Sequence, residues 1–229
     1  MREVAPSDAE PNTSPPPATR RREPRWPAAL AIVAALGLYL VLPSKLVIGP
    51  RWVLPVLEAA LIIPLLVTSP DRRERESNVI RMVSVVLIGL ISLANLVSLA
   101  LLVHYLITGG QVTGTRLVLS ALAVWTTSVL VFSLWYWELD GGGPAARHVD
   151  PTRSRDFLFP QDATPELFPS SWLPNYVDYL YVSFTNSTAF SPTDTMPVTT
   201  WSKLLMMVQS GAALITIALV AARAVNILS

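Results

Sequence analysis

Residues 82–108 contain no Asp, Glu, Lys or Arg, and about 20 mostly apolar residues are enough to cross the hydrocarbon of a bilayer. Lipid offers no partner to a backbone N–H or C=O, so a segment of this kind satisfies its own groups as a helix or joins a closed barrel. The run is continuous rather than alternating, which selects the helix. The rest of the chain agrees: 52% of its residues are hydrophobic, mean hydropathy is +0.46, and the charges stand in a few blocks as they do in a multi-pass membrane protein.

Five stretches have the character of spans: 27–42, 52–68, 82–108, 117–137 and 204–222. The first two are separated by a short turn holding Lys45 and Arg51 and form a hairpin. The third is long and tilts. Residues 1–26 form a basic tail with Pro15, Pro16 and Pro17, too poor in apolar residues to offset chain entropy, and are expected to be disordered. Arg20, Arg21, Arg22 and Arg25 stand just before the first span. They also suit the n-region of a signal peptide, but no small-x-small site follows, so an uncleaved first helix is the expectation. The chain thus divides into the tail, a three-helix membrane region at 27–116, and a region at 117–229. The last comprises an outer helix at 117–137, a polar loop at 138–173, a short helix and turn at 174–197, and a final helix at 201–228.

Several function classes have no support. The absence of cysteine removes disulfides, thiolate metal sites and cysteine nucleophiles together, and a net charge of +1 gives no reason to expect nucleic acid. His104 and His148 lack partners at ligand spacing, so no metal or other cofactor is expected. No nucleophile elbow, phosphate loop or carboxylate pair is present, and no enzyme activity is expected. No internal repeat pairs the spans into halves, which counts against an inverted-repeat transporter. Fifteen arginines against two lysines, with abundant Ala, Val and Pro, hint at a GC-rich bacterial source and hence a bacterial inner membrane.

Polar residues inside the spans carry what remains. Glu58, between Pro55 and Pro64, is costly in lipid unless protonated, paired or hydrated; it is either a proton or cation site or a group that snorkels or pairs with Arg51. Ser92, Asn95 and Ser98 in the third span, and Thr126, Thr127 and Ser128 in the fourth, suit hydrogen bonds between helices. Gln209, Ser210 and Thr216 on the last span are candidates either to line a pore or to pack between subunits, with Gly211 as a hinge or close contact. Arg223 snorkels from the end of that span. In the polar loop, which carries Gly141, Gly142, Gly143 and five prolines and reads as too irregular for a domain, Phe157, Phe159 and Phe168 are expected to pack the loop against the membrane or a neighbouring subunit.

From Asn175 the chain reads Asn-Tyr-Val-Asp-Tyr-Leu-Tyr-Val-Ser-Phe-Thr-Asn-Ser-Thr, then turns through Ser191, Pro192 and Thr193 to Asp194, and the final apolar helix follows Pro197. This layout resembles the pore helix, filter, filter aspartate and inner helix of the two-helix potassium-channel pore. The resemblance covers about 175–228, with the fourth span as outer helix. Against that family's Thr-x-Gly-Tyr-Gly-Asp pattern, the threonine falls on Ala189, the Gly-Tyr-Gly on Ser191-Pro192-Thr193 and the aspartate on Asp194. Rings of backbone carbonyls require conformations that glycine adopts cheaply, whereas Pro192 fixes its φ and Thr193 resists positive φ. The resemblance therefore implies a homo-oligomer, a tetramer in that family, in which Thr188, Ser191, Thr193 and Asp194 surround a weakly selective path for monovalent cations. It also implies an aromatic cuff of Tyr176, Tyr179, Tyr181, Phe184 and Trp201, residues that an interfacial belt would explain equally.

The expected fold is an all-α integral membrane protein with about five transmembrane helices and a short re-entrant helix before the last. Two other functions remain open: a non-conducting scaffold or accessory subunit, and a small-solute or proton-coupled carrier using Glu58. Sidedness is in conflict. Four spans before the loop place it on the side of the amino terminus, and the charge rule makes that side cytoplasmic, whereas a potassium-channel loop opens outside.

Overall fold

The computed structural model describes residues 26–43, 46, 52, 56, 59–60, 74–108, 114–150, 152–169, 172–188 and 194–228. Its long helices are α1 (Trp26–Val41), α2 (Glu74–Ile107), α3 (Gly114–Leu139) and, at the end, α7 (Thr200–Leu228). Between α3 and α7 lie three shorter helices, α4 (Pro144–Val149), α5 (Pro160–Ala163) and α6 (Tyr176–Thr188).

Among the described residues, three segments are long and apolar enough to cross a membrane: Arg81–Ile107, Thr115–Gly142 and Thr200–Arg223. The expectation of five is met only to that extent. At 16 residues, α1 rises about 24 Å at 1.5 Å per residue, short of a hydrocarbon layer of about 30 Å, and most of 52–68 lies outside the described residues. Helix α2 also starts earlier than hydropathy indicates, because the charged residues from Glu74 are good helix formers and no Gly or Pro separates them from Met82.

Helix α3 is the centre of the bundle. It packs against α1, α2, α6 and α7, and 67% of its span is buried, against 28% for those of α2 and α7. Two apolar clusters mark the ends of the molecule. At the near end, Ala28 and Ile32 of α1 join Ile88, Tyr136, Trp137, Phe157, Phe159, Tyr176 and Tyr179. At the far end, Leu42 and Leu46 join Leu99, Leu102, Leu117, Ala121 and Ala212. The start of α1 and the segment after α3 therefore share one end. Ser92 acts as a link between helices, accepting from Trp135 Nε1 at 2.8 Å and donating to Ile88 O at 2.7 Å.

The segment after α3 is an ordered cap, contrary to the expectation of an irregular loop. Gly141, Gly142 and Gly143 all take positive φ. At Gly143 a Cβ would lie 3.0 Å from the Glu138 carbonyl oxygen, so only glycine reverses the chain there. Two short strands follow, β1 (Phe157–Leu158) and β2 (Met196–Pro197), paired antiparallel with Phe157 opposite Pro197 and Leu158 opposite Met196. Phe157 and Phe159 are almost fully buried, packing against Tyr136 and Tyr179 of the same chain rather than against membrane or neighbour. Arg155 reaches both oxygens of Asp162 at 2.8 Å and stacks over Trp172.

Candidate functional site

Helix α6 is held by two polar clusters, one at each of its ends. Its start carries a capping box: Asn175 Oδ1 accepts from the Val177 N–H at 2.8 Å, and the Asp178 carboxylate accepts from the Asn175 N–H at 2.7 Å. Burial raises the Asp178 carboxyl above its ordinary range, while the Asn175 amide pulls it down.

The upper cluster centres on Asp140, which has no exposed surface. Its Oδ1 accepts from the backbone N–H groups of Asp156 (2.6 Å) and Phe157 (3.2 Å), and its Oδ2 from the Tyr179 hydroxyl (2.6 Å). Arg147, also buried, donates to the carbonyls of Trp137, at 2.8 Å, and Asp140, so a cation satisfies orphan carbonyls where α3 ends. The same guanidinium lies 5.1 Å over the Tyr179 ring. Asp156 extends the cluster to α7. Its carboxylate accepts from Thr199 Oγ1 at 2.7 Å and from the Gly141 N–H at 3.3 Å, and its carbonyl accepts from the Val198 N–H at 2.9 Å and Ser202 Oγ at 3.1 Å. The end of α3, the start of α6 and the start of α7 are thus tied through two carboxylates.

From that cluster α6 runs antiparallel to α3. Tyr176 meets Ser133 at 2.6 Å, Ser183 Oγ donates to Val129 O at 2.7 Å, and Phe184 packs edge-on against Trp125. Val129 is at the middle of the Thr115–Gly142 segment. After α6, β2 lies beside β1 at the cap, so the chain is back at the cap by Met196.

The lower cluster centres on Gln209 of α7, which is fully buried. Its Oε1 accepts from the Tyr136 hydroxyl and, at 3.0 Å, from Asn186 Nδ2. Its Nε2 lies 2.9 Å from Ser183 O, 2.6 Å from Ser183 Oγ and 2.8 Å from Ser187 Oγ. Asn186 Nδ2 also donates to Met206 O at 3.1 Å, and Ser210 Oγ donates to Asn186 Oδ1 at 2.9 Å. One amide side chain therefore joins the last turn of α3, the second half of α6 and α7.

The residues singled out from sequence are distributed as follows. Gln209 and Thr216 are buried inside the single chain, Thr216 donating to Ala212 O at 2.7 Å, so neither faces an open surface, as a pore-lining side chain must. Ser210 is half-buried against Asn186. Thr188 is exposed at the end of α6 and donates to Phe184 O at 3.0 Å. Asp194 is also exposed. Ser191, Pro192, Thr193 and Glu58 lie outside the described residues. The aromatic set divides: Tyr176 and Tyr179 are core, whereas Tyr181, Phe184 and Trp201 are exposed. Among the described residues no group of three His, Asp or Glu side chains is placed to hold a metal.

Sequence reasoning missed Tyr136, Ser183, Asp140, Arg147 and Asp156. The signal for Ser183 was present, because Ser183, Asn186 and Ser187 stand at i, i+3 and i+4 and so share one helix face, which Gln209 answers. The other four belong to contacts between distant segments and have no local pattern.

Comparisons with protein-family models, with curated proteins and with solved structures find no match to this chain. What the fold itself defines is a helical protein whose described residues include three helices long and apolar enough to span a membrane and a short polar-tipped helix packed among them.

Proposed function

We propose that this chain is one subunit of a homo-oligomeric cation pore in a bacterial inner membrane, with α6 re-entrant and the turn after it at the constriction. The observation that carries the reading is the depth at which α6 stops. Ser183 and Phe184 meet the middle of the α3 span, and the helix ends one turn later with Thr188 exposed. A helix end leaves four carbonyls without intrahelical partners, and lipid supplies none. Backbone of this kind persists at membrane depth only against other protein or water. Copies of the chain around an axis provide both.

Tyr181 and Phe184 on α6, and Leu204, Met207 and Val208 on α7, are exposed apolar residues that a neighbouring copy would cover. Open space above Gly211 would let a second helix approach closely. In a tetramer built this way, Thr188, Ser191, Thr193 and Asp194 surround the axis, and the Asp194 carboxylates draw monovalent cations. Pro192 and Thr193, in place of glycines, argue for weak selectivity. Arg81, Arg147, Arg153 and Arg155 belong to the near end, against Arg116 and Arg223 at the far end, and the charge rule makes the near end cytoplasmic. The loop then enters from the cytoplasm, inverted relative to the potassium-channel pore it resembles.

A second reading, a non-conducting scaffold, is favoured by Gln209. Its amide, like the inner face of α6, is satisfied within one chain and leaves fewer polar groups for a water-filled path. Cation flux into liposomes carrying the purified protein separates the two, with oligomer state measured in the same preparation. Conduction predicts flux that changes in both Asp194→Asn and Pro192→Gly. No flux from a folded, assembled wild type refutes it and leaves the scaffold.

A further inference from the structure

At the far end of the bundle, α2, α3 and α7 line a small open groove, with room for little more than a water molecule, whose walls include Leu106, Leu117, Ala121 and Val220 and whose one charged group among the described residues is Arg223. The guanidinium is half-buried, and its Nε is buried with no hydrogen-bond partner among the described residues. Arginine has only donors and stays charged, so this group needs an acceptor, preferably an anionic one. The described residues that line the groove include no Asp or Glu, and residues 82–137 and 195–229 contain none. A second cation, Arg116, stands exposed beside Leu117.

We propose that this groove docks one anionic phospholipid, its phosphate accepting from Arg223 and an acyl chain lying against the apolar helix surface beside it. Apolar walls open to the surface of helices long enough to span a membrane are solvated by acyl chains, and a basic group at the end of such a groove selects an anionic headgroup. The planar guanidinium matches a phosphate with two parallel hydrogen bonds. The site includes no residue of α6, and it holds whether or not the protein conducts.

The test uses the full-length protein, purified in detergent and depleted of lipid, with dioleoyl phosphatidylglycerol or dioleoyl phosphatidylcholine added back. Native mass spectrometry counts retained lipid and a melting curve reads stability. The expected result is retention of one phosphatidylglycerol per chain, with a higher Tm than phosphatidylcholine gives. Arg223→Gln should lower the preference for phosphatidylglycerol at least about tenfold, and Arg223→Lys should keep part of it while confirming that position 223 tolerates change. Val220→Trp, which fills the groove, should reduce retention of both lipids. Equal retention of the two lipids by wild type, or an undiminished preference in Arg223→Gln, would overturn the proposal. A Tm rise with inorganic phosphate equal to that with phosphatidylglycerol would also overturn it, by showing a simple anion site.

Discussion

Replacing Gln209 by Leu tests what holds α6 in place. The substitution puts an apolar group of similar size in a fully buried position and strips an amide from four side-chain partners, Tyr136, Ser183, Asn186 and Ser187. Asn186 retains Met206 O, and Ser183 retains Val129 O. In water-soluble proteins each buried polar group left unsatisfied costs about 1–3 kcal/mol. Between membrane helices the measured average is about 0.6 kcal/mol per hydrogen bond, because the unfolded chain in lipid also finds partners. The second scale applies because Tyr136 and Gln209 lie on two segments of membrane-spanning length. The two bonds that Oε1 accepts and the two that Nε2 can donate at once then come to about 2.4 kcal/mol, roughly a 60-fold change in the folded-to-unfolded ratio. Reversible unfolding in mixed micelles measures it, and a double-mutant cycle with Tyr136→Phe isolates the Tyr136–Gln209 term, which should be favourable by about 0.5 kcal/mol or more. A cost below about 0.5 kcal/mol for Gln209→Leu would refute the reasoning that this amide fastens α6 to α7.

Three further outcomes follow from the same geometry. Asn175→Ala removes the side-chain acceptor of the α6 capping box and should cost about 1 kcal/mol in the same unfolding assay. Asp140→Ala leaves the Tyr179 hydroxyl and two backbone N–H groups without their acceptor; hydrogen bonds to a charged group are worth about 1.5–3 kcal/mol each, so a loss of at least about 3 kcal/mol is expected, with faster proteolysis within 138–175. The carboxyl of Asp178 sits above its ordinary value in the folded state, so the folded form binds more protons than the unfolded one between the two values. Stability therefore falls as pH rises through that window, and Asp178→Asn should flatten this part of a stability-against-pH curve without reversing it elsewhere.

Much of the fold was legible because hydropathy is a local property. The uncharged run from Met82, the apolar stretch ending at Trp137 and the final helix beyond Lys203 each identify their own element, since lipid leaves an isolated apolar segment only the helix. The short helix before the last was legible from its Asn-Tyr-Val-Asp start and its polar end, and its capping box is visible in the sequence as well. Helix ends were less legible: α2 begins eight residues before Met82, at Glu74, because charged helix formers extend a helix without any hydropathy signal.

The candidate site was legible only as a list of residue types. Thr185, Asn186, Ser187 and Thr188 are four consecutive polar residues in the sequence, yet the helix turns Asn186 and Ser187 inward and leaves Thr188 exposed. Gln209 reads equally well as facing a cavity or a partner helix, and packing against Tyr136, Asn186 and Ser183 settles which way its amide points. Asp140, Arg147 and Asp156 looked like scattered charges in a proline-rich loop, but Asp140 and Arg147 are buried and tie three helices to one cap. By itself the sequence determined that this chain forms apolar helices with a polar break between 138 and 197, because burial in lipid depends on each segment's own composition. Only the tertiary structure decided which polar groups meet, because a hydrogen bond depends on the angle and register at which segments dozens of residues apart come together.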